Sequence, residues 1–249
     1  MCMKKMTMAA GLLLAGLIAA PTVMAAPDAQ ELLRQSDQAR GGDLPGLAWE
    51  VRLANSGSAS EDLQPMRLDV RANKTASLAE VREPLSNKGS KMLQVDRNMW
   101  LSKPGLKKPV AISPRLRLSG QAAIGDIAAT NYAKDYAAKL LREETLNGEP
   151  CYVLDLKSAN KQSTYDRIVY WVSEKRMVGV QAQFYSLSGK LLKQASFQYD
   201  NTVKVGGKSI PFVSAMQIND ALTDARTTLK YGELRVKNFA DAEFQVDNL

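Results

Sequence analysis

The sequence predicts a mainly β, single-domain chain in which a large curved antiparallel sheet is wrapped on a few helices. Three observations predict it. Apolar and polar residues alternate with period two through most of the chain from Leu47 onward, the signature of half-buried strands. Only one segment carries a clear helical stripe. Tight-turn signals recur at short intervals, with no linker, low-complexity tract or internal repeat between them. Each strand then has one apolar face that needs cover, and a single sheet packed on helices is the economical way to supply it.

Residues 1–26 read as an export signal: Lys4 and Lys5 precede the apolar run "AAGLLLAGLIAA", and small residues follow in "TVMAAP". That run is too short to cross a bilayer about 30 Å thick, and no later stretch is long and apolar enough. Cys2 precedes the apolar run, where it cannot serve as a lipid-modified cleavage cysteine. The expectation is a soluble periplasmic protein, neither membrane-spanning nor lipid-anchored, with one domain over residues 27–249. Setting aside Lys4 and Lys5, 31 basic residues face 26 acidic ones, a net charge of +5. Such mild basicity suits an anionic surface and equally an ordinary solvated exterior; no nucleic-acid motif accompanies it. Of the two cysteines only Cys151 lies beyond the signal, so no intrachain disulfide is expected.

"PDAQELLRQSDQARGG" predicts a helix, with Asp28 as cap, Leu32, Leu33, Ser36 and Ala39 on one side, and Gly41 at its end. "LAWEVRLA" places Leu47, Trp49, Val51 and Leu53 on one strand face, and "MRLDVRA" does the same for Leu68 and Val70. "KMLQV" carries Leu93 and Val95, "DRN" reads as a turn, and "MWLS" returns with Met99 and Leu101, a hairpin closed off by "KPGLKKP". Around residues 121–135 the pattern becomes weakly helical. "LNGEP" then marks a hairpin turn at Asn147-Gly148, and a meander follows with turns near residues 173–175, 188–189 and 206–207. "ARTTLKYGELRVK" supplies a last strand and "DAEF" a closing turn.

The chemistry is notable for what it lacks. There is no histidine, which removes the commonest general base, Ser-His and Cys-His pairs, and histidine metal sites. Cys151, alternating with Tyr152 in "CYVLDL", reads as a small strand residue without an activating partner. "KVGGKS" is a hairpin turn and not a phosphate loop. Glu143 and Glu144 are adjacent, so on a strand they point to opposite faces and cannot act as an acid pair. No enzymatic activity, cofactor or metal is expected.

The ordered run "EPLSNKGSKMLQVDRNMWLSKPGLKKPVAIS", "LLREETLNGEPCYVLDLKS", "YWVSEKRMVGVQAQFYSLSGKLLKQASFQY" and "KSIPFVSAMQI" resembles the periplasmic outer-membrane lipoprotein-sorting proteins of the LolA/LolB-like superfamily, in the branch typified by a treponemal lipoprotein. The resemblance covers about Asp28 to Phe244. It implies an α+β fold, a half-open antiparallel β-barrel of about eleven strands covered by the N-terminal helix and a short helical lid. It further implies a carrier that takes acyl chains of lipoproteins or lipids toward the outer membrane, acting as a monomer. A sensor or adaptor that grips a membrane protein is the alternative. An inner-membrane transporter of the resistance-nodulation-division type is an implied partner.

An apolar hollow in such a barrel fits this reading physically, because burying a 16-carbon chain contributes about 12 kcal/mol before association costs. The expected lining is Trp49, Val51, Leu53, Leu68, Val70, Leu93, Val95, Met99 and Leu101. The same residues could instead pack on the helix. Lys103, Lys107 and Lys108 are placed either at the cavity mouth, against head groups, or in a solvated turn.

Overall fold

The alternation does become sheet. A computed structural model describes residues 27–58 and 63–249, so the segment expected to be an export signal lies outside the described residues. In chain order the strands are β1 (Leu47–Ser56), β2 (Met66–Ala72), β3 (Ala76–Glu83), β4 (Lys91–Val95), β5 (Asn98–Ser102), β6 (Val110–Ile112), β7 (Arg117–Ser119), β8 (Ala122–Ala123) and β9 (Tyr136–Leu146). There follow β10 (Glu149–Ser158), β11 (Arg167–Ser173), β12 (Gly179–Tyr185), β13 (Leu191–Gln198), β14 (Asn201–Val205), β15 (Lys208–Phe212), β16 (Ala215–Asp220) and β17 (Arg226–Val236). Thirteen of them form one antiparallel sheet in the order β6-β5-β4-β3-β2-β1-β17-β16-β13-β12-β11-β10-β9. Two meanders are thus joined through the β1–β17 ladder, and the sheet is open, with β6 and β9 as its edges.

The expected count of about eleven strands is corrected to thirteen in the sheet, with two further hairpins, β7–β8 and β14–β15. The strands not singled out are β6, β7 and β8, of two or three residues and too short to display any period, and β3, where four successive residues from Ala76 to Ala79 are buried and no alternation shows. Turn chemistry is obeyed closely. Asn147-Gly148 and Gly206-Gly207 adopt the positive φ angles that a two-residue hairpin turn demands.

Helix α1 (Ala29–Gln38) begins as its sequence predicts: the Asp28 carboxylate accepts a hydrogen bond from the Gln30 N–H at 2.9 Å. It buries Leu32, Leu33 and Ser36 against the sheet and stops before Gly41, whose φ of +90° is left-handed. Beside it runs the weakly helical excursion, a 3-10 turn over Ile124–Asp126 and the one-turn helix α2 (Tyr132–Asp135). Its apolar residues Ala122, Ile124, Ile127, Ala129 and Tyr132 join α1 in one cluster on the sheet's inner face. Together the two pieces cover that face.

One expectation about faces is overturned. A two-residue turn at Asp96-Arg97 pairs Val95 with Asn98 and Leu93 with Trp100. Directly opposed residues share a face, so Leu93 and Val95 lie with Trp100, opposite to Met99 and Leu101. They pack on the outer face with Ala76, Leu78, Phe239, Phe244, Val246 and Leu249, under the C-terminal segment. Reading three turn residues instead of two reversed the parity of the hairpin.

Candidate functional site

The covered inner face is the site the fold defines. Of the nine residues expected to line it, Trp49, Val51, Leu53, Leu68, Val70 and Met99 are buried in one cluster with α1, and Leu101 is half-buried against it. Leu93 and Val95 are not part of it. The other meander supplies partners that strand alternation alone did not single out: Tyr170, Phe184, Phe197, Phe212, Met216 and Leu229. Trp49 meets Phe212 edge-on at 5.8 Å between ring centres. For Tyr170 the signal was present in "RIVYWVS", where every residue from Ile168 to Ser173 is buried, so both faces of β11 are covered. The hollow expected here is filled in this structure: Trp49, Val51, Leu53, Leu68, Val70 and Met99 are each no more than 4% exposed, packed by their neighbours.

The seam between cover and sheet is polar and incompletely satisfied. Gln30 is its main clasp: its amide donates to the carbonyls of Ala133 at 2.7 Å and Tyr136 at 3.1 Å, and accepts from the Ala138 N–H at 3.0 Å. Asp37 accepts from the Ala133 N–H at 2.8 Å, and the Thr130 N–H donates to the Arg40 carbonyl at 3.2 Å. Beneath this seam Arg40 is buried, its guanidinium 4.6 Å from the centre of the Phe197 ring and 5.3 Å from that of Tyr132. It makes no ion pair among the described residues, and its Nη1 has no hydrogen-bond partner. Asp37 Oδ1, Trp49 Nε1 and the Tyr170 hydroxyl are likewise buried without partners. Burial pushes the Asp37 carboxyl up to about 8, overriding the Ala133 hydrogen bond and the Arg40 charge that pull it down. The buried Asp37 carboxyl beside Arg40 is therefore protonated over most of the neutral range.

A second buried polar group sits at the other end of the cover. Lys193 Nζ lies 3.1 Å from Asp126 and donates to the Gln121 carbonyl at 2.5 Å, while Asp126 accepts from the Tyr165 hydroxyl at 2.8 Å and the Ala123 N–H at 2.9 Å. The two Lys193 contacts anchor residues 121–126 to β13, and the Tyr165 hydroxyl ties Asp126 to the segment before β11, so the pair reads as a fastening. Outside it lies a cleft of about 320 Å³ with Arg115, Arg117 and Lys193 on its walls. A shallower groove of about 810 Å³ runs past Lys157, Lys161, Arg167 and Leu187. Lys103, Lys107 and Lys108 are exposed in the β5–β6 loop. Cys151 is fully buried, and burial raises its thiol pKa, as expected of a structural residue. Among the described residues, no group of three or more Cys, Asp or Glu side chains is arranged to hold a metal ion. Nor is any helix there long and apolar enough to cross a membrane.

An open antiparallel sheet with helical segments packed on its inner face describes the fold, and solved structures are similar to it. A LolA superfamily protein from Nitrosomonas europaea is 30% identical and superposes with a TM-score of 0.79, over 90% of this chain and 100% of that one. A DUF1329 family protein from Desulfovibrio piger is 21% identical, TM-score 0.73, over 89% and 97% of the two chains. An outer membrane lipoprotein-sorting protein domain from Vibrio parahaemolyticus is 20% identical, TM-score 0.72, over 88% and 97%. A family model described as "-like: Uncharacterized protein" matches residues 73–249. No curated protein matches the chain. The chain belongs to the LolA superfamily.

Proposed function

We infer that the protein is an exported carrier whose inner sheet face receives acyl chains of lipids or lipoproteins when α1 and residues 121–135 swing away. The observation that carries this reading is the seam. Four polar atoms, on Asp37, Arg40, Trp49 and Tyr170, are buried there without partners, and each such atom costs about 1–3 kcal/mol. A cover lying over orphaned polar groups has a smaller energy gap to an open state than a fully satisfied one. Opening exposes a broad apolar surface to which hydrocarbon binds by the ordinary hydrophobic effect. Membership of the superfamily and the fold shared with a lipoprotein-sorting domain support the same reading. The closed interior supports a second one, an adaptor that binds a membrane protein partner with its outer surfaces.

Native mass spectrometry and fluorescent fatty-acid titration separate the two. A carrier binds acyl chains stoichiometrically, and Gln30→Ala, by loosening the clasp, speeds uptake. Absence of acyl binding by both the native chain and Gln30→Ala overturns the carrier reading.

A further inference from the structure

Strand pairing arranges the loops of this protein along two rims, and the rims differ sharply. The Lys91–Ser102 pair sets the β3–β4 loop beside the β5–β6 loop, where a side-chain carbon added at Gly89 would lie 3.6 Å from Pro104. The Ser56–Arg226 pair sets the end of β1 beside the β16–β17 loop, and the Ser58 N–H and hydroxyl donate to Asp224 at 3.1 and 2.9 Å. The Ala221 N–H donates to the Leu192 carbonyl at 3.1 Å, joining that loop to the β12–β13 turn. The Arg167–Tyr185 pair continues the series to the β10–β11 loop.

Nearly every loop on this rim offers one solvent-facing leucine. Leu85, Leu187 and Leu222 are 82%, 89% and 74% exposed, and Leu63, Leu106 and Leu116 are exposed as well. The turns at the opposite ends of these strands are polar instead: Asn73-Lys74-Thr75, Asp96-Arg97 and Asn147-Gly148. The leucine rim is also basic. Across its loops and the 113–121 segment there are eight basic residues against four acidic ones. Of the acids, Asp166 is paired with Arg115 at 2.9 Å and Asp224 is engaged by Ser58. The loops that hold Leu85, Leu106 and Leu187 also carry Lys88, Lys107 with Lys108, and Lys190, and the β10–β11 loop carries Lys161, whereas the loops of Leu63 and Leu222 at the middle of the rim carry no lysine.

We propose that this rim docks the protein on an anionic phospholipid bilayer. Isolated leucines, one per loop and three of them sharing their loop with lysines, do not make the contiguous apolar core that a folded protein partner packs against. A fluid interface accepts such spaced anchors one at a time: each leucine enters the acyl boundary while neighbouring lysines meet lipid phosphates. The proposal does not depend on what the inner face holds, since rim and covered face are different surfaces and their tests fail separately.

Flotation with vesicles of phosphatidylcholine alone, or with about one third phosphatidylglycerol, tests it. The protein is expected to float with the anionic vesicles, not with the neutral ones, and to be released at high salt. The double variants Leu187→Ser/Leu222→Ser and Lys161→Glu/Lys190→Glu alter exposed side chains and should each weaken binding at least tenfold with unchanged melting temperature. A native protein that stays in the soluble fraction with anionic vesicles overturns the proposal, as does a leucine variant that floats undiminished.

Discussion

Asp37 and Arg40, one helical turn apart at the end of α1, bring two ionisable groups into the sheet's interior without an ion pair between them. Unfolded, Asp37 ionises near the ordinary carboxylate value of about 4. Folded, it holds its proton to about 8. Its contribution is therefore favourable below the lower value and is lost as pH rises between the two, because the unfolded chain releases a proton that the folded chain keeps. Urea midpoints should fall by an amount worth several kcal/mol between pH 5 and pH 8, and Asp37→Asn should flatten that slope; an unchanged slope in the variant would assign it elsewhere. Lys193 and Asp126, also buried, are paired with each other and hydrogen-bonded. Asp126→Ala strands a buried ammonium and should cost about 3–5 kcal/mol in chemical denaturation, whereas replacing both partners by apolar residues should cost much less.

The β4–β5 hairpin shows why elements were easier to read than their faces. Its strands follow directly from "KMLQV" and "MWLS", but the face each residue occupies depends on the parity of the turn, and one residue's difference sends Leu93 and Val95 to the outside. What shelters them there is the C-terminal segment, with Phe244 buried in the same cluster. Phe244→Ala should destabilise the protein by about 3 kcal/mol or more and shift the emission of the neighbouring Trp100 to the red. Asn147-Gly148 was legible because only left-handed residues close a two-residue hairpin. Gly148 has open space where a side chain would go, so Gly148→Ala should cost only about 1 kcal/mol, from its φ of +83° alone.

At the scale of the whole molecule, the thirteen-stranded sheet presents two distinct surfaces, an inner face under helical segments and a leucine-bearing rim. The inner residues were recovered mainly from the first meander, where alternation is clean: Trp49, Val51, Leu53, Leu68, Val70, Met99 and Leu101. Tyr170, Phe184 and Phe212 were not, because β11 is buried on both faces and β15 is short and half-exposed. Arg40 and Asp37 were invisible as interior groups, since nothing in "QSDQARGG" distinguishes a buried charge from a solvated one. Adding acyl chains in excess should raise the melting temperature by mass action if the open state binds them and recloses.

By itself the sequence determined the strand-rich architecture, the α1 cap, the hairpin turns and the lack of histidine chemistry, because these follow from local backbone preference and composition. Only the tertiary structure decided which face each residue serves, that the inner face is closed, and that the exposed leucines share one rim. Those facts depend on register and on which distant strands become neighbours, and such pairings are set by packing between segments that local sequence does not connect.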